Sequence, residues 1–319
     1  MESAAAQAPS QAEEQWIAVD RCPACGSAQC KAQGALPDRY YVFGSEKIRL
    51  PDAGIKLFEC CACGLIYKTA VPAPAFLAEI FGRQAAAKWS GSHDFSAEAT
   101  KLLRLMGRSA FDVLDVGAAD GALLKACAES GIQGRRSALD VLRYPGVEGF
   151  VSSEFIEGFL DDALLQWSRE PYDVVTLFDV LEHLYQPQRA FANLGLLVKP
   201  GGQVVIETGN IDSFWPRRFG IHEWWYVRLF EHHVFWTPRA LTRIAAVYGF
   251  ELVSWTQRRH KSRRHIPFSV LGNELLKTGL YCVLPDSYTA LARLLGKQGN
   301  QPWFPFARDH LHACLKKKG

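Results

Sequence analysis

From residue 108 to residue 258, short apolar runs alternate with stretches whose apolar positions recur every third or fourth residue. FDVLDVG, GRRSALD, YDVVTLFD, GGQVVIETG and FELVSW read as strands, and most of the intervals between them read as amphipathic helices. That alternation predicts an α/β domain with a largely parallel sheet and helices on both faces. Upstream, Phe95, Ala99, Leu102, Leu103 and Met106 share one helical face, and Gly107 stands where that helix would end. After FELVSW the order breaks. FSVLGNELLKTGLYCVLPDSYTALARLLG reads as two amphipathic helices forming an inserted cap, and DHLHACLKK alternates as an antiparallel closing strand would.

These patterns divide the 319 residues into a leader (1–19), a cysteine-rich module (20–68), a helical linker (69–107), the α/β core (108–258), the helical cap (259–305) and the closing strand (306–319). MESAAAQAPSQAEEQW contains acids and no apolar stretch, so it reads as a disordered leader and not as a signal peptide. No run of about eighteen uncharged apolar residues occurs; the best candidate, 266–284, is broken by Glu274 and Lys277. A soluble, cytoplasmic protein is expected. In that compartment nine cysteines point to thiolates on a metal and not to disulfides. Cys22-x-x-Cys25 and Cys60-x-x-Cys63 each let two thiolates face one ion, with Gly26 and Gly64 following for the tight turn. Two such knuckles make a four-sulfur tetrahedral site, read as zinc, closed to substrate and therefore structural. The long interval between them implies a hairpin or loop. Cys30 and Cys61 stand close enough in sequence to be alternative ligands.

VLDVGAADGALLKACAESG passes from a buried strand through a glycine-containing turn into a helix, the place where open α/β sheets bind ligands. A dinucleotide fingerprint would be G-x-G-x-x-G and would set a pyrophosphate at the helix N-terminus. Here Asp115 and Asp120 flank and enter the turn, and carboxylates would repel phosphate. They suit a cationic, phosphate-free ligand such as S-adenosylmethionine. Asp140, at the tip of the second strand, is placed to accept ribose hydroxyls. With YDVVTLFDVLEHLYQP and LLVKPGGQVVIETGN, this turn resembles the class I S-adenosylmethionine-dependent methyltransferases, in particular the branch of ubiquinone-pathway and sugar-modifying enzymes. The resemblance covers residues 108–255 and implies a Rossmann-like sheet. It implies that Asp115, Gly117, Ala119 and Gly121 hold the methionine portion, Asp140 the ribose, and that Phe178 and Asp179 border the donor. Ala119 replaces the family's usual middle glycine. The residue that reads the adenine amine falls within SSEFIEGFLDDAL without being singled out. CxxCGLIY ahead of such a core is also similar to zinc-ribbon-bearing enzymes of glycan and secondary-metabolite pathways.

Methyl transfer needs a base only where the acceptor must lose a proton, and histidine suits that role near neutral pH. His183, at the start of the helix expected after strand four, and His232 and His233 in FEHHVFW are the candidates. The aromatic stretch FWPRRFGIHEWWYVRLFEHHVFW suits an acceptor pocket, with Trp215, Trp224, Trp225 and Trp236 serving core and lid packing. Cys127 reads as buried packing. The net charge of +3 and the lack of basic residues around either knuckle argue against nucleic acid, and so against an RNA methyltransferase using the ribbon as a clamp. The expected acceptor is a small molecule, a metabolite or a sugar on a nucleotide or lipid carrier, with the basic stretch from Arg259 to Arg264 meeting phosphate. The apolar cap adds a peripheral membrane contact as an expectation. A non-catalytic donor-binding scaffold is the remaining alternative. No motif fixes which atom is methylated or the oligomeric state.

Overall fold

The computed structural model describes residues 15–43, 45–89, 94–162, 170–259, 268–295 and 307–319. The KSRRH part of the basic run and most of the expected leader lie outside the described residues. The N-terminal strands are β1 (Trp16–Ala18), β2 (Cys30–Ala35), β3 (Tyr40–Phe43), β4 (Glu46–Arg49), β5 (Lys56–Cys60), β6 (Ile66–Lys68) and β7 (Ala70–Pro72). β3 and β4 form a hairpin between the two cysteine pairs. β1 lies inside the stretch expected as leader and pairs with β7, inside the expected linker. The reason is aromatic packing: the Trp16 ring meets Phe230 edge-on at 5.9 Å, which anchors the strand.

α1 (Pro74–Trp89) and α2 (Ser96–Met106) lead into the core. α2 buries Ala99 and Leu102, and Gly107 ends it in the left-handed conformation at φ 63°, with its N–H bonded to the Leu103 carbonyl. The core then follows as β8 (Val113–Val116), α3 (Ala122–Glu129), β9 (Arg136–Asp140), β10 (Phe155–Glu157), β11 (Tyr172–Phe178), α4 (Pro187–Leu197), β12 (Val198–Gly209), α5 (Phe214–Phe219), β13 (Val234–Phe235), α6 (Pro238–Val247), β14 (Phe250–Arg258), α7 (Phe268–Val283), α8 (Pro285–Leu294) and β15 (His310–Lys317). The sheet has seven strands in the order β10-β9-β8-β11-β12-β15-β14. The first five neighbours are parallel, and β15 runs antiparallel to both β12 and β14. All four β8 residues are buried, as a strand covered on both faces requires. The order reverses beside β8 and β11, so the crevice beyond their carboxyl ends is the switch point where ligands bind. Because His310 opposes both Gly209 and Arg258, the end of β14 and the start of β15 border the same crevice.

Two features depart from the periodic reading. β13 does not join the large sheet; it pairs with β6 in a second sheet of order β13-β6-β5-β2, so the cysteine module takes a strand from the far side of the chain. The cap hairpin turns its apolar side outward: Leu275, Leu276, Val283 and Leu294 are exposed, whereas Tyr281 is buried and packs on Phe219 at 5.1 Å. No described helix is long and apolar enough to cross a membrane.

Candidate functional site

A cavity of about 1450 Å³ opens along the carboxyl edge of the large sheet. A single drug-sized ligand occupies roughly 300–1,000 Å³, so this space accommodates two partners side by side. At one end stands the turn after β8. Gly117 has φ 72°, and a Cβ placed on it would meet Val180 Cγ2 at 2.5 Å, so glycine is required here on both counts. Gly117→Ala is expected to lower stability by more than the roughly 1–2 kcal/mol of a left-handed alanine, because the overlap adds to it; thermal unfolding measures this. Ala119 itself is left-handed at φ 45°, and its N–H donates to Asp140 Oδ2 at 2.8 Å. Asp140 Oδ1 accepts from the Leu142 N–H at 3.2 Å, so the carboxylate organises the turn as well as facing the cavity.

Asp115 is buried at the cavity wall and accepts a hydrogen bond from Thr176 Oγ1 at 2.7 Å. Burial, with the Asp140 charge adding to it, pushes its carboxyl up to about 7. Burial raises Asp140 too, against the lowering effect of its main-chain donors. Two carboxylates held this way favour a cation between them. Phe178 stacks on Phe95 with centroids 6.0 Å apart, and Asp179 is left-handed at φ 55° with its N–H on the Glu207 carbonyl; both line the cavity.

The histidines divide. His183 sits in a 3₁₀ turn, Leu181–His183, and not at the start of a helix; α4 begins only at Pro187, whose fixed φ suits a first helical position. His183 Nδ1 lies 2.8 Å from the Glu231 carbonyl and His232 Nδ1 lies 2.9 Å from the Tyr226 carbonyl. A carbonyl only accepts, so when neutral both rings carry the proton on Nδ1 and present the lone pair on Nε2. Both rings line the cavity, with centroids 4.9 Å apart. His233 faces the other way: it is buried against Tyr185 at 4.3 Å and does not border the cavity, and burial holds it well below its usual value. His232 closes a turn with its N–H on the Leu229 carbonyl, whereas His233 leads directly into β13, and this separates the two histidines. Beneath the pair, Glu182 is fully buried and accepts from Thr208 Oγ1 at 2.7 Å and from the Tyr226 hydroxyl.

Several cavity residues escaped the sequence reading. Asp161, after β10, is buried, lines the cavity and accepts from the Gln186 N–H at 2.7 Å. Asp162 beside it instead caps its own turn through the Phe159 N–H. The double acid of FLDD was the available signal. Glu207, whose carboxyl burial pushes up to about 7, interrupts the apolar strand β12. Trp224 and Trp236 are fully buried, and Trp225 borders the cavity. Over β14 and β15 the lining mixes charges: Arg258, Arg259 and Arg308 stand with Glu98 and Glu207, and Arg258 Nη1 lies 3.9 Å from Glu98 Oε1.

Outside the cavity, Cys22, Cys25, Cys60 and Cys63 bring their sulfurs within 4.8 Å of one another, with Cys22–Cys63 at 3.6 Å and Cys25–Cys60 at 3.5 Å. A tetrahedral zinc with sulfurs at about 2.3 Å sets sulfurs about 3.8 Å apart, so the donor set fits that ion. Cys30 pairs with Cys60 across the β2–β5 ladder, and neither it nor Cys61 belongs to the cluster.

The profile of the methyltransferase domain matches residues 80–255. A ubiquinone biosynthesis O-methyltransferase of Vibrio atlanticus is 34% identical over 103 residues, 31% of this chain and 43% of that protein. Another, of Vibrio vulnificus, is 32% identical over 109 residues, 32% of this chain and 46% of that one. The match thus spans less than half the length of these curated relatives. A crystal structure of a candidate methyltransferase from Bacillus halodurans superposes with a TM-score of 0.50 at 15% identity, over 70% of this chain and 100% of that one, which shows the fold. The domain profile spans more than half of the chain and includes the turn after β8, the 3₁₀ turn and β12; the chain belongs to the methyltransferase-domain family, as a class I, S-adenosylmethionine-dependent member.

Proposed function

We propose that the protein transfers a methyl group from S-adenosylmethionine to a phosphate-bearing small molecule, a metabolite or a sugar on a nucleotide or lipid carrier. The observation that carries this reading is one cavity that brings together carboxylates Asp115, Asp140 and Asp161, the histidines His183 and His232, and Arg258, Arg259 and Arg308. Bound S-adenosylmethionine would supply an electrophilic methyl on a sulfonium. Asp115 faces its cationic portion, Asp140 its ribose and Asp161 its adenine amine. His232 Nε2 accepts the proton that the acceptor loses, with His183 beside it, and Glu182 fixes the turn that carries them. The arginines meet the phosphate, which orients the acceptor without taking part in bond making. The four cysteines hold zinc, and its role is structural.

Incubating metabolite extracts with methyl-labelled donor and identifying what gains the label tests this. Label in an anionic small molecule supports it. Label in RNA, or donor binding with no labelled product across broad acceptor panels, overturns it. Within this assay His232→Asn is informative, because an asparagine amide can still donate to the Tyr226 carbonyl but offers no base. Label transfer is expected to fall roughly a hundredfold, the low end for general-base catalysis because His183 remains, with donor affinity held within about twofold by calorimetry.

A further inference from the structure

We propose that Lys68 is a positioning residue that clamps segment 229–233 to the cysteine module and thereby sets where His232 stands in the cavity. The proposal rests on the reading of His232 as the proton acceptor. Lys68 ends β6, the strand that follows Cys63, and is 1% exposed. Its Nζ donates to the Leu229 carbonyl at 2.6 Å and to the Tyr41 hydroxyl at 2.7 Å, while its main-chain N–H donates to the His233 carbonyl at 3.0 Å. One residue thus grips both ends of the short stretch that carries His232. Further ties hold the same elements together. Arg228, just before the stretch, forks onto Asp38 of the module through Nε at 2.7 Å and Nη2 at 2.5 Å. Just after it, β13 pairs with β6 through Val234 and Phe235. Arg243 on α6 donates to the Ala62 carbonyl inside the second cysteine knuckle at 2.7 Å.

A buried ammonium is costly to retain for packing alone, since an apolar side chain of similar volume would fill the same space. Its hydrogen bonds give it another use: three directed donors that fix a loop carbonyl at a defined distance. The groups facing it are Asp38 and Glu231 with negative charge, Arg228 with positive charge, His233, the Tyr41 hydroxyl and the Phe235 ring at 6.0 Å. Burial brings Lys68 down to about 7, opposed by Glu231 and Asp38. Below that pH the ammonium holds the carbonyl with a charge-assisted bond; above it the grip weakens.

The test is amide hydrogen exchange read by mass spectrometry on the full-length, zinc-loaded protein with S-adenosylhomocysteine as the donor-site probe. Lys68→Met is expected to speed exchange over residues 226–235 roughly tenfold at pH 6, while peptides over 113–140 and the affinity for the probe stay within about twofold. In the unaltered protein, exchange over 226–235, corrected for its intrinsic pH dependence, is expected to accelerate between pH 6 and pH 8, and Lys68→Met is expected to remove that acceleration. Unchanged protection over 226–235 in the variant, equal loosening over 113–140, or a pH response that survives the substitution would each overturn the proposal. Should the variant not fold, Tyr41→Phe, which removes one of the two acceptors that hold Nζ, decides: protection over 226–235 equal to that of the unaltered protein sinks the clamp. No acceptor enters this measurement, so it is independent of label transfer by His232→Asn. If that variant keeps full transfer while Lys68 behaves as expected, the clamp stands and the base assignment falls.

Discussion

Asp115→Asn is expected to abolish donor binding and, in the ligand-free protein at pH 8, to raise stability. The two effects share one cause. Asp115 is fully buried, and burial with the neighbouring Asp140 charge pushes its carboxyl up to about 7 from 3.8. A carboxyl that holds its proton more tightly folded than unfolded makes the folded state bind more protons between pH 4 and pH 7. Stability therefore falls as pH rises through that window, and above pH 7 the whole cost of the buried charge is present. A shift of this size corresponds to a cost on the order of 4 kcal/mol. Asparagine keeps an oxygen that accepts from Thr176 Oγ1 and carries no charge, so most of that cost disappears. Differential scanning calorimetry at pH 8 is expected to show a rise of roughly 5–10 °C, and little difference at pH 4. The donor feels the opposite effect. Leaving a buried cation without its partner costs about 3–5 kcal/mol, a loss of a hundredfold to several thousandfold in affinity. In the unaltered protein donor affinity should also weaken as pH falls below 7, where Asp115 is protonated, and calorimetry in buffers of different ionisation heat should detect the linked proton release. Donor affinity equal to that of the unaltered protein would place the cation elsewhere.

What could be read from the sequence followed the reach of each signal. The strands of the core and the turn after β8 are local patterns, a few residues of consecutive burial followed by Gly117 and Gly121, and they fold as their spacing dictates. α2 likewise carries its own period and its own stop at Gly107. β13 is different. Val234 and Phe235 are two apolar residues among many, too short to show a period, and their partner β6 lies on the other side of the core in sequence. The Arg228–Asp38 ion pair and the Lys68 contacts are hidden for the same reason: each is long-range, and no spacing encodes it. His232 and His233 show a third limit. The sequence shows two adjacent histidines, but which one faces the cavity depends on how the segment is held, and that is set by the main-chain bonds of His233 to Lys68 and Glu182. Asp161 against Asp162 is the same problem after β10.

Removing the metal is expected to unfold the cysteine module and to take the acceptor half of the cavity with it, while the donor half persists. Apparent binding energies of structural zinc run to about 10–16 kcal/mol, comparable with or larger than the roughly 5–15 kcal/mol that holds a whole domain folded. Under the proposed zinc site that energy goes to a module whose sheet is small and whose strands are short: β5 ends at Cys60, β6 starts after Cys63, and both flank the knuckle that the metal would close. Four thiols this close cannot all ionise without a cation to balance them. Hydrogen bonding from Cys22 already draws Cys63 down to about 5. Loss of the β5–β6 hairpin unpairs β13 and frees the Lys68 and Arg228 ties, so His232 loses its position. Asp115, Gly117 and Asp140 stand on β8, β9 and the turn between, which the large sheet holds without the module. Chelation at neutral pH should therefore split thermal unfolding into an early and a late phase and stop label transfer, while S-adenosylhomocysteine still binds measurably. Zinc added back before heating should restore a single transition. A protein shown metal-free by elemental analysis and yet unfolding in one transition at the original temperature would mean that the four sulfurs hold the module without an ion.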